Sequence, residues 1–128
     1  MTEREHLRHL RDAFEKAGHH MEIISDTGMH KRNSKPYDAI IALKNRGGFC
    51  FIEAKIDNRE LKNEQFKFQI DCQEKGIPAF ILWIETKHSM FTIDKVVDDT
   101  MLMQCVANDY KELVKQFEII IMEEMKHV

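Results

Sequence analysis

The chain has 128 residues, 43% of them hydrophobic and 32% charged, with a formal net charge of −3. That is one domain's length, enough for a core without staples, so a single domain over residues 1–128 is expected. No apolar run approaches the roughly 18 residues of a membrane span, and three widely spaced cysteines, Cys50, Cys72 and Cys105, with no Cys-x-x-Cys argue against both a disulfide framework and a structural zinc.

Thr2 is placed to cap a first helix with Leu7, Leu10, Phe14 and Ala17 on one face and Gly18 as its stop. Met1 to His6 are too charged for a signal peptide, so a cytoplasmic location is expected. Residues 20–25 predict a strand, on which the adjacent His19 and His20 would face opposite ways rather than form a metal pair. Residues 26–35 are a polar loop whose His30, Lys31, Arg32 and Lys35 suit a phosphate backbone, and equally suit a solvated surface. Residues 39–43 and 49–55 read as the strands of a hairpin turned at Asn45-Arg46-Gly47-Gly48.

Residues 61–75 predict a helix with Leu61, Phe68 and Cys72 inward and Gly76 after it. The fully apolar run 78–84 predicts a central strand buried on both faces, and 89–93 a shorter one. Asp94 is placed to cap a short helical segment over 95–103. Residues 108–126 predict a long amphipathic helix with the stripe Leu113, Phe117, Ile120, Ile121 and Met125. Ile119 to Met122 is apolar nearly all round, which suits either cover for the sheet or a homodimer contact. The whole is an α/β (α+β) layout, a mixed central β-sheet flanked by helices.

The net charge hides a polarity. Between His30 and Lys67 nine Lys and Arg face five acids, so the basic centre has acidic flanks and could present one face to a polyanion. In that centre Asp38 begins one hairpin strand while Glu53 and Lys55 end the other, two apart and therefore on one face. Charges on strands this apolar must be rim residues, or be paired, or bind a metal.

Asp38 with Glu53-Ala54-Lys55 resembles the signature of the PD-(D/E)XK nuclease superfamily, an Asp on one strand and Glu/Asp-x-Lys on the next. The spacing onward through Leu61 to Gln65 is similar to stand-alone VRR-NUC nucleases. Glu53-Ala54-Lys55, Leu61-Lys62-Asn63 and a helix running into Gly76-Ile77-Pro78-Ala79-Phe80 resemble RecU-type Holliday-junction resolvases. The likeness covers residues 25–95.

The resemblance implies a PD-(D/E)XK restriction-endonuclease-like core and a metal-dependent DNA endonuclease. Branched or otherwise structured DNA is the implied substrate, in recombination, repair or replication of a bacterium, phage or mobile element. Asp38, Glu53, the Ala54 carbonyl and Gln65 would hold Mg²⁺, with Mn²⁺ as substitute, since such ions take hard oxygens. Lys55 would orient or deprotonate the attacking water, or stabilise the phosphorus at the transition state. Gln65 would be a ligand or a donor to the scissile phosphate.

Glu3, on the inward face of the first helix, is a further metal candidate beside its plain reading as an acid favoured by the helix dipole. Arg59 and Lys62 join His30, Lys31, Arg32 and Lys35 as DNA contacts. Resolving a junction needs two symmetric nicks and so implies a homodimer. The rival from another class is a catalytically silent DNA-binding or adaptor domain on a nuclease-like fold.

Overall fold

The computed structural model describes residues 1–24, 35–44 and 47–126. Helix α1 (Glu3–Lys16) starts in a capping box: Thr2 Oγ1 accepts from the Glu5 amide at 3.1 Å, and the Glu5 carboxylate accepts from the Thr2 amide at 3.3 Å. It ends at Gly18, whose φ of +91° is open to glycine and lets the His19 amide reach back to the Phe14 carbonyl at 2.9 Å. A Cβ there would also meet the Lys44 side chain at 2.6 Å.

Strands β1 (His20–Ile23), β2 (Ala39–Ala42) and β3 (Phe49–Ile56) form an antiparallel meander. Helix α2 (Asn63–Glu74) crosses over to β4 (Ala79–Glu85), which pairs parallel with β3. A parallel pair needs such a crossover, because its strands must start at the same end. Strands β5 (Met90–Val97) and β6 (Thr100–Ala107) and helix α3 (Tyr110–Met125) complete the chain. The sheet is six-stranded and mixed, in sequential order β1 to β6.

Alternation along each strand separates two faces. Ile41, Cys50, Ile52, Phe80, Leu82, Ile84 and Ile93 meet α1 and α3 in one core cluster. The two helices are stitched there by Phe117, whose ring lies 5.8 Å from Phe14 and 6.4 Å from Phe80. Phe117→Ala is therefore expected to lower stability by about 3–5 kcal/mol. A urea titration showing less than about 1 kcal/mol would mean that α3 is not part of the cooperative core.

Helix α2 packs on the opposite face, over β4 and β5. There Tyr37, Phe51 and Phe68 cluster, with ring centroids 4.6 to 5.2 Å apart. Beside Cys72, α2 buries Gln69, whose amide nitrogen reaches the Phe80 carbonyl at 3.5 Å; the inward Gln is absent from the apolar stripe expected of this helix.

One element differs in kind. Residues 95–103 are not helical: β5 continues to Val97, a tight turn at Asp98 and Asp99 with φ of 49° and 63° reverses the chain, and β6 returns. Two positive φ values in a two-residue loop match the right-handed twist of a hairpin, and Asp tolerates them better than most residues. Asp94 caps no helix; it accepts from Trp83 Nε1 at 2.7 Å.

In α3 the residues Leu113, Val114, Phe117 and Ile121 are buried, and Asp109 caps the start by accepting from the Glu112 amide at 2.7 Å. The stripe thus covers the core, while Ile119 points outward at 60% exposure. The larger exposed apolar group lies on the edge strand β6, where Met101, Leu102, Met103 and Val106 are all exposed. No helix among the described residues is long and apolar enough to cross a membrane.

Candidate active site

Asp38 stands one residue before β2. Its amide donates to the Ile52 carbonyl at 2.7 Å and its carbonyl accepts from the Ile24 amide at 2.9 Å, so its backbone is fixed between β1 and β3. Strand β2 pairs no further than Ala39 with Ile52. Two residues on, the Ala54 amide would lack a partner, and the Asp38 Oδ2 accepts from it at 2.7 Å. Amide and carbonyl of one strand residue leave on the same edge, so the Ala54 carbonyl also points to the side where β2 has ended.

Glu53 and Lys55 project to the other side of β3 from the main core, toward α2. Glu53 is 1% exposed and Lys55 8%, and Lys55 Nζ lies 3.5 Å from Glu53 Oε1. Gln65, in the first turn of α2, ties the helix to them. Its Oε1 accepts from the Lys62 amide at 2.8 Å and its Nε2 donates to Glu53 Oε1 at 2.6 Å. In this arrangement Gln65 acts as a donor to Glu53; an oxygen-ligand role would use the second lone pair of an Oε1 that already accepts from the Lys62 amide. Glu53 Oε2 is buried and meets no donor.

The electrostatics follow from burial. Desolvation, followed by the charge of Asp38, pushes the Glu53 carboxyl from an ordinary 4.5 up to about 8, against the opposing pull of Lys55. Asp38 is raised too, first by burial, then by Glu3, while the Ala54 amide pulls the other way. A buried carboxyl with an orphaned oxygen and a half-buried one that resist ionising together have room for another positive charge. Asp38, Glu53 and the Ala54 carbonyl fit a hard divalent cation in this respect. Among the described residues, however, no three His, Cys, Asp or Glu side chains gather into a metal cluster.

Glu3 approaches from α1, near enough for its charge to act on Asp38, and its Oε2 lies 3.4 Å from Arg59 Nη1. Lys35 and Lys62 share a groove of about 530 Å³ with Gln65 and Lys67. Arg59 instead lines a second groove, of about 740 Å³, on the far side of the first turn of α2. His30, Lys31 and Arg32 lie outside the described residues, as does Arg46. Lys67, counted in the basic centre, lines both grooves. One neighbour escapes sequence reasoning: Trp83 is the register partner of Lys55 on β4. Nothing local marks Trp83, because its place beside Lys55 is set by the β3–β4 pairing.

No protein family's sequence profile matches the chain, and no curated protein matches it either.

Proposed function

We propose that this protein is a metal-dependent DNA endonuclease of the PD-(D/E)XK type, acting on branched or otherwise structured DNA. The observation that carries the reading is the convergence of Asp38, Glu53, Lys55 and Gln65 where β2 ends and α2 begins, with Glu53 Oε2 unpartnered. The run α1, β1, β2, β3, α2, β4, with antiparallel, antiparallel and parallel pairing, agrees with the core that the motif resemblance implies.

Asp38, Glu53 and the Ala54 carbonyl would hold Mg²⁺ or Mn²⁺. When bound, such an ion supplies Lewis acidity toward a phosphoryl oxygen and lowers the pKa of water. The chain's own residues do the rest. Asp38 is held by the Ala54 amide, so its carboxylate keeps one orientation. Gln65 orients Glu53 through Oε1 and leaves Oε2 open. Lys55 brings an ammonium to the same face, where it donates to phosphoryl oxygens as negative charge builds on them. Lys35, Lys62 and Lys67 beside Gln65 offer a track for flanking phosphates.

The test is cleavage of a labelled four-way junction beside linear duplex of the same sequence, with Mg²⁺, Mn²⁺ or EDTA. Paired nicks confined to the junction and lost in EDTA are expected, from a protein that sediments as a dimer. Cutting of both substrates would keep the nuclease and discard the junction preference. Tight, salt-sensitive binding with no cutting in either metal would sink the enzyme and leave a DNA-binding domain. Lys62→Ala is expected to weaken binding uniformly across sequences and to reduce the slope of log K against log salt by about 1. An unchanged slope would remove Lys62 from the phosphate contacts.

A further inference from the structure

We propose that the groove beside Lys55 receives an unstacked nucleobase, so that the preferred substrate carries unpaired nucleotides next to the cleaved phosphate; this rests on the endonuclease reading above. Lys55 and Trp83 are neighbours across the parallel β3–β4 pair, and both face α2. The Trp83 Nε1 donates to Asp94 Oδ2 at 2.7 Å, which holds the indole in one orientation. Phe66 and Ile70 of α2 form the opposite wall, and Met101 of β6, 43% exposed, forms the outer rim. Helix α2 packs over β4 and β5, and on β6 Met101, Met103 and Val106 remain exposed.

The shape and chemistry select the occupant. The groove, about 740 Å³, is apolar and aromatic on its floor and mixed in charge at its rim, where Arg59, itself paired with Glu3, and Lys67 stand with Glu60 and Asp99, so the ring face and not the charge selects the occupant. A paired and stacked base offers no ring face to such a floor, whereas an unpaired base of any identity does. Lys67 also lines the neighbouring groove, with Lys35 and Lys62. The backbone of one strand therefore has three lysines, interspersed with Glu64 and Asp71, on one side of the first turn of α2, and its base has an aromatic slot on the other. The two grooves share Lys67; Gln65 lines the first and Lys55 is the register partner of Trp83 in the second, so the cleaved phosphate would lie between them.

Trp83 is the chain's one tryptophan, so its emission reports on this groove. The experiment titrates the whole protein, in EDTA so that nothing is cut, with a single strand of about 12 nucleotides and with the matched duplex. Saturable quenching by the single strand, about tenfold tighter than any by duplex, is expected. Met101→Glu, at an exposed position that folding tolerates, and Phe66→Ala should each weaken single-strand binding about tenfold and leave duplex binding unchanged.

Equal quenching by duplex would overturn the proposal. So would a shift of emission with protein concentration in the absence of DNA, which would show a second copy covering the groove. Metal-dependent cleavage that persists while no DNA alters Trp83 emission removes the groove and keeps the endonuclease. Quenching by single strands with no cleavage in Mg²⁺ keeps the groove and removes the endonuclease.

Discussion

Glu53→Ala and Lys55→Ala are each expected to abolish the proposed DNA cleavage, with a loss of about 10³-fold or more in single-turnover rate at saturating Mg²⁺. Glu53 carries the orphaned oxygen and is the point where Lys55 and Gln65 converge, so its removal dismantles two contacts and the free acceptor at once. Lys55 contributes a charge whose value lies in its low exposure, since an ammonium shielded from water acts on the phosphate through a weaker dielectric. Neither change should unfold the protein: Glu53 and Lys55 lie on the α2 face, away from the main apolar cluster. Circular dichroism and DNA binding in EDTA serve as controls for folding. Cleavage retained in both variants, with folding intact, would end the nuclease proposal. Lys55→Arg is a sharper probe, because a planar guanidinium cannot occupy the place of a compact ammonium without moving Glu53.

The second large effect is on stability against pH in metal-free protein. The Glu53 carboxyl titrates near 8 in the fold and near 4.5 when exposed. Below about 4.5 folded and unfolded chains both hold its proton, and the residue makes no difference to stability. Between about 4.5 and about 8 the unfolded chain gives the proton up while the folded chain keeps it. Stability therefore falls as pH rises through that window, by an amount on the order of a few kcal/mol, and stays low above it. Asp38, also raised, adds to the fall in the same direction.

Glu53→Gln keeps the shape and the acceptor for Gln65 while removing the titration. Urea titrations in EDTA from pH 5 to pH 8 should show a flatter profile for the variant and greater stability than wild type at pH 8. His6, whose pKa is lowered chiefly by burial, contributes the opposite slope, but it does so in both proteins and cancels in the difference. Added Mg²⁺ should restore wild type at pH 8 and leave the variant unmoved, since metal binding requires the deprotonated carboxylate. Parallel profiles for the two proteins would show that Glu53 ionises freely in the fold.

Much of the architecture was legible because its causes are local. Thr2 and Glu5 announce a capping box by spacing alone, and Gly18 marks the stop because few other residues take its φ. The apolar run before Glu85 reads as a buried strand, and β4 is one. The second hairpin strand, with its Glu-x-Lys, also falls where the apolar run after the Gly47-Gly48 turn puts it. Residues 95–103 read wrongly for an equally physical cause. Strand β6 is an edge whose residues are exposed on both sides over most of its length, so it shows no alternation of apolar and polar residues to distinguish it from a short helix.

The candidate site divides along the same line. The amino-acid sequence by itself determined that Asp38, Glu53 and Lys55 are charges embedded in apolar strands, that Glu53 and Lys55 share a face, and that Gln65 opens a helix. These follow from the two-residue period of a strand and from helix-start signals. Only the tertiary structure decided that Gln65 donates to Glu53, that Asp38 completes the strand edge at Ala54, and that Trp83 lies beside Lys55. Each of those contacts depends on the register between strands or on the packing of α2 across the sheet. The raised Glu53 carboxyl belongs with them, because desolvation is a property of everything packed around a group and of no residue alone.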